Sequence, residues 1–102
     1  MAAPKLTLYK FHVFGGDADD PTSYEVAAFG RDITKTEAEF ANRRWGSTTD
    51  RPLTSAAMIA YFALYRTGAF KGKWEDFEAW YLSVEPGEEV SANPTEAGQE
   101  PA

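Results

Sequence analysis

No cysteine occurs among the 102 residues. Its absence removes disulfides, thiolate nucleophiles and cysteine-bound zinc or iron–sulfur clusters together. Histidine is almost as scarce: His12 stands alone, in an aromatic segment that nominates neither a nucleophile nor an orienting carboxylate beside it. Carboxylates do cluster at Glu37/Glu39 and Glu75/Asp76/Glu78, but at expected helix starts, where water keeps their pKa values from being driven apart. Gly15-Gly16 lacks the spacing of a phosphate loop. Asp17, Asp19 and Asp20 lack the glycine at position six and the glutamate at position twelve that an EF-hand needs. No apolar stretch reaches the roughly 18 residues of a membrane span, and Met1–Lys10 holds no apolar core of signal-peptide length. The expectation is a soluble intracellular protein, not an enzyme, with no catalytic residues, cofactor, metal or membrane partner.

Basic charge is also in short supply. The net charge is −6, yet it is unevenly spread: Glu85–Ala102 carries five acidic groups and no Lys or Arg, leaving Met1–Val84 at −1. A nearly neutral body offers no electrostatic case for nucleic-acid binding, which rests on cations neutralising phosphates. Arg43, Arg44 and Arg51 around Trp45 read instead as a solvated helix end, where cations complement the helix dipole.

A chain of this length reads as one small domain, spanning residues 1–84, followed by an acidic tail over 85–102. Lys5–Phe14 alternates, with Tyr9, Phe11 and Val13 on one face, and Ser23–Phe29 alternates again with Tyr24, Val26 and Ala28. Between them Gly15 to Pro21 is dense in turn formers, so the pair reads as a β-hairpin about a long turn. A hairpin alone is marginal in water, so helices must cover it. Asp32 or Thr34 can cap a first helix, with Thr34 and Glu37 at capping-box spacing and a stop near Gly46. Leu53–Thr67 is apolar on most sides, a helix expected to be buried, ended by Gly68. Trp74–Val84 reads as a third helix with Trp74, Phe77, Tyr81 and Val84 on one stripe. After Glu85, Pro, Gly and Glu with a single β-branched apolar residue predict disorder. The fold expected is α+β and mostly α: an N-terminal hairpin on about three short helices, with a disordered acidic C-terminal tail.

What is abundant is aromatic surface in Leu53–Val84. Phe62 and Phe77 are expected in the core. Tyr61, Tyr65, Trp74, Trp80 and Tyr81 form the candidate partner-binding stripe, because Tyr and Trp are the residues interfaces favour.

The order of segments, Tyr24-Glu25-Val26 into Asp32, Glu37, Phe40 and Arg44-Trp45, then Tyr65-Arg66-Thr67-Gly68, then Trp74-Glu75-Asp76-Phe77, Trp80 and Val84-Glu85, then an acidic tail with Asn93-Pro94-Thr95, resembles the short-form tail assembly chaperones of long-tailed bacteriophages, those of actinobacteria in particular. The resemblance covers nearly the whole chain and lies in the order of loose motifs. It implies a non-enzymatic protein that binds the tape measure protein and keeps it soluble while the tail tube assembles. It further implies a longer product, made by programmed frameshift, that reaches the major tail tube protein. Family members work in the host cell cytoplasm and are absent from the mature virion. Helix-in-groove recognition of the client is the expected mode, and self-association is compatible with so small a core. The other reading of the same surface is a small adaptor or inhibitor acting on a host protein.

Overall fold

The computed structural model describes residues 7–91. Strand β1 (Thr7–Asp17) pairs antiparallel with β2 (Asp20–Ala28), and the register sets Phe11 opposite Val26 and Val13 opposite Tyr24. Phe11, Val13, Val26 and Ala28 are buried on one face, as the alternation requires. The turn is shorter than expected, because Gly15 and Gly16 continue β1 and only Ala18 and Asp19 lie between the strands. The Asp17 carboxylate accepts the Asp19 amide at 2.9 Å and closes it.

Helix α1 (Gly30–Arg43) begins ahead of the Thr34/Glu37 pair. Its start is fixed instead by Asp32, whose carboxylate accepts the Phe29 amide at 2.9 Å, while the Thr34 hydroxyl donates to the Gly30 carbonyl at 3.1 Å. The helix ends at Arg43, three residues before Gly46. Arg44 takes the left-handed conformation, φ 58° and ψ 41°, and the Trp45 amide returns to the Phe40 carbonyl at 3.0 Å. A short 3-10 turn, Thr48–Asp50, leads into helix α2 (Pro52–Thr67), with Pro52 in the first turn and Gly68 left-handed at φ 82°, both as expected. Ala57, Met58, Ala60, Ala63 and Leu64 of α2 are buried. The helix is central: it meets α1, both outer strands and helix α3 (Trp74–Trp80).

The third helix stops at Trp80, not Val84. Tyr81 is already extended, at φ −75° and ψ 145°, and begins strand β3 (Tyr81–Ser91). Val84 lies opposite Val13, Glu85 opposite His12 and Pro86 opposite Phe11 in an antiparallel ladder with β1. Residues 85–91, expected in a disordered tail, therefore complete a three-stranded sheet of order β2-β1-β3. The reason is that β1 has two edges and a hairpin leaves one of them bare. Tyr81, Val84 and Val90 suit a strand, and Pro86 is tolerated because β3 is an outer strand. The α+β class holds, with a three-stranded sheet in place of a hairpin. Lys5 and Leu6 of the expected first strand, and residues 92–102 of the expected tail with Asn93-Pro94-Thr95, lie outside the described residues.

One buried ion pair joins the sheet to the helices. Asp32, 1% exposed, accepts from Arg66 Nε at 3.2 Å and Nη2 at 2.9 Å. Arg66 also donates to the Ala27 carbonyl at 3.1 Å and covers the Phe29 ring, 4.4 Å from its centroid. Both charges find partners, the condition under which a buried pair is tolerated.

Candidate functional site

Three of the five nominated residues come together. A cleft of about 360 Å³ is lined by Glu39 and Arg43 of α1, by Tyr61, Phe62 and Tyr65 of α2, and by Gly72, Lys73, Trp74 and Glu75 leading into α3. Tyr61 and Trp74 are buried at 7% and 5% exposure, so they form its walls rather than project from it. Tyr65, 55% exposed, stands at the mouth. The rings are linked through Tyr61, whose centroid lies 6.0 Å from Tyr65, 5.1 Å from Phe62 and 5.9 Å from Trp74.

Local chemistry holds this shape. The Tyr61 hydroxyl donates to the Gly72 carbonyl at 2.8 Å, tying the connector to α2. The Asp76 carboxylate accepts the Lys73 amide at 2.9 Å and fixes where α3 starts, which sets Trp74 beside Tyr61. Across the mouth, Arg43 donates through Nε to Glu39 at 2.7 Å and through Nη2 to Glu75 at 2.8 Å, bridging α1 to α3. The same bonds hold the Glu75 carboxyl below the ordinary carboxylate range and raise the Arg43 guanidinium, so the bridge stays fully charged near neutrality. Burial, with smaller contributions from Tyr65 and Glu75, pushes the Tyr61 phenol up, keeping it a neutral donor.

Trp80 and Tyr81 do not line this cleft. Trp80 packs among Tyr24, Phe70 and Phe77, at ring distances of 6.0, 5.4 and 5.8 Å, and lies against Gly15. Tyr81 stacks on the buried Phe77 at 5.1 Å with 12° between planes. The expected stripe is thus divided, because the helix ends at Trp80 and the chain turns there into the sheet. Phe62 was expected in the core, yet it is half-buried and lines the cleft. Glu39, Arg43 and Glu75 were not nominated. Their one sequence signal was the Glu39/Arg43 spacing, which suits an i,i+4 pair.

Smaller features lie elsewhere. A notch of about 190 Å³ is lined by Tyr9, Phe11, Ile33 and Ile59. Arg43 and Arg51 flank the Trp45 ring at 5.2 and 5.5 Å. His12 sits on the outer face of the sheet, its Nε2 3.4 Å from a Glu25 carboxylate oxygen that lies opposite on β2. Among the described residues no three His, Asp or Glu are grouped to hold a metal ion, and no helix is long and apolar enough to cross a membrane.

The cleft can hold an apolar or aromatic side chain against Tyr61, Phe62 and Trp74 while polar groups of the same ligand meet the charged mouth. Comparisons with models of known protein families, with curated proteins and with solved structures gave no match to this chain.

Proposed function

We propose that this protein is a non-enzymatic tail assembly chaperone of a long-tailed bacteriophage, which binds the tape measure protein and keeps it soluble in the host cytoplasm while the tail tube assembles, without entering the mature virion. The single observation that carries the reading is the aromatic cleft over α2, open at Tyr65 and rimmed by the Arg43 bridge. A long helical client exposes apolar stripes, and a groove with aromatic walls and a charged mouth suits one turn of such a helix. The order of segments that resembles the chaperone family supplies the identity of the client, and the resemblance also suggests the tail tube protein as a partner of a longer, frameshifted form.

Co-expression with the tape measure product encoded downstream tests this directly. The chain should bring that product into the soluble fraction. Tyr65→Asp, which alters an exposed residue at the cleft mouth, should abolish the effect while circular dichroism stays unchanged. A client equally soluble with the Tyr65→Asp chain would remove the cleft from the mechanism. A client that stays insoluble with the unaltered chain would favour the adaptor or inhibitor reading. A genome with no long helical reading frame downstream, and no slippery heptanucleotide before the stop codon, would argue the same way.

A further inference from the structure

Arg43, Arg44 and Trp45 close α1, and the structure gives the tryptophan a place that a solvated helix end does not explain. Arg44 is left-handed, so the chain reverses, and the Trp45 amide returns to the Phe40 carbonyl at 3.0 Å. The indole then meets the Phe40 ring edge-on, at 5.2 Å and 86°. Phe40 is buried, which anchors one side of the indole in the core. Trp45 remains half-buried and is not part of the lining of the cleft.

Arg43 holds its guanidinium 5.2 Å from the centroid of that indole, where the ring quadrupole attracts it. From there Nε reaches Glu39 on α1 and Nη2 reaches Glu75 on α3. A guanidinium is planar with fixed donor directions, so a ring against it limits where those donors can aim. Without the ring, Arg43 would lose rotamer freedom each time it bridged the helices, the cost that leaves most exposed ion pairs with little net effect. Arg51, at the N-cap of α2, adds a second guanidinium 5.5 Å from the same centroid. The two cations repel, and the Glu39 and Glu75 carboxylates offset this at Arg43. What the bridge secures is α3. Seven residues are too few to hold a helix alone, and Glu75 adjoins Trp74, a wall of the cleft.

We infer that Trp45 is a positioning residue for the cleft: it braces Arg43, and Arg43 acting through Glu75 fixes the first turn of α3 and with it the Trp74 wall. Its part in client binding rests on the chaperone reading, whereas the brace itself is measured on the chain alone.

Hydrogen exchange of the full chain reads the brace at the Asp76 and Phe77 amides, which donate to the Lys73 carbonyl at 3.0 and 3.1 Å. In Trp45→Leu these amides should exchange about fivefold faster relative to those of Ala60 and Ala63 in the buried part of α2, which report general loss of stability. Trp45→Phe keeps a ring against Arg43 and should restore slow exchange. Arg43→Lys leaves the core intact and keeps the charge without the planar fork, and it should match Trp45→Leu. In a Glu75→Ala background Trp45→Leu should add nothing further at Asp76 and Phe77, because the link it acts through is already gone. Parallel acceleration in α3 and α2, equal effects of Leu and Phe, or an undiminished effect in the Glu75→Ala background would overturn the inference. Co-expression with the tape measure product separates the brace from its use. Trp45→Leu should solubilise less of that product, and Trp45→Phe as much as the unaltered chain. Equal solubility with Trp45→Leu, despite a loosened α3, would overturn the role in binding. A client insoluble with the unaltered chain would count against the chaperone reading and leave the exchange results to decide the brace.

Discussion

The six-membered ring of Trp80 lies directly over Gly15: a methyl group placed on that glycine would sit 2.5 Å from Cδ2, Cε3 and Cζ3 of the indole. Gly15 is buried on the inner face of β1, with Thr22 and Tyr81 as its neighbours on the outer strands. A glycine inside a strand often marks such a close approach. Here it lets the last residue of α3 seal the hairpin end of the sheet. Gly15→Ala should therefore destabilise by about 2 kcal/mol through overpacking. In a Trp80→Ala background the same change should cost less than about 0.5 kcal/mol, because the obstruction is gone. Urea unfolding of the four proteins measures the cycle, and additive effects would show that Trp80 does not rest on Gly15.

That contact also marks where the sequence stops being sufficient. The inward faces of both hairpin strands follow from period-two alternation at Phe11, Val13, Val26 and Ala28, and the burial of α2 follows from its lack of a polar side. These are local signals. The β3 strand is not local: Tyr81 and Val84 satisfy a helical stripe as well as a strand, and only the bare edge of β1, some seventy positions earlier in the chain, decides between them. The same ambiguity split the nominated surface. Tyr61, Tyr65 and Trp74 converge because α2 and the start of α3 are where the pattern placed them, whereas Trp80 and Tyr81 depend on how α3 ends. Asp32 gave a cap signal in the sequence, but nothing in its spacing pointed to Arg66 as its charge partner.

Removing one side of the buried ion pair should be costly. Asp32→Ala strands the Arg66 guanidinium and leaves the Phe29 amide without its acceptor. A loss of about 3 kcal/mol is expected. Asp32→Asn should cost less, because an amide oxygen can still accept from Phe29 while the charge is lost. Denaturant titration gives the ranking, and equal losses for Asn and Ala would mean that the cap contributes nothing. Hydrogen exchange at the end of β2 should accelerate in Arg66→Leu, since the bond to the Ala27 carbonyl goes with it.

The alkaline limb of stability should report on Tyr61. Its folded-state pKa is raised by burial above the ordinary tyrosine value of 10.0. A group raised in this way stabilises the fold fully below its unfolded pKa, and the contribution is lost as pH climbs through the folded value. Phenolate absorbance should accordingly show a late step, above the ordinary tyrosine value, that belongs to Tyr61. Tyr61→Phe should delete that late step, flatten the fall in stability above about pH 10, and cost about 1 kcal/mol at neutrality through the lost bond to Gly72. A late step that persists in Tyr61→Phe would assign it to another phenol.

Truncation distinguishes a strand from a tail. A chain ending at Ser91 retains every pair of the described ladder between β1 and β3. A chain ending at Val84 loses Glu85 opposite His12, Pro86 opposite Phe11 and the pairs that follow, so Tyr9 to His12 of β1 are left with β2 alone, and Thr7 and Leu8, which pair with β3 and not with β2, lose their strand partners. Phe11, buried on the inner face, would lose its cover on that side. Hairpins without a third strand or a full helical cover are marginal in water. The chain ending at Val84 should thus unfold with a clearly lower midpoint and a smaller dependence on denaturant, the sign of reduced burial, whereas the chain ending at Ser91 should keep a cooperative transition. The exchange rates of the β1 amides locate the damage: they should rise at Tyr9 to His12 and stay slow at Val13. Identical unfolding of both truncated chains would return residues 85–91 to the tail.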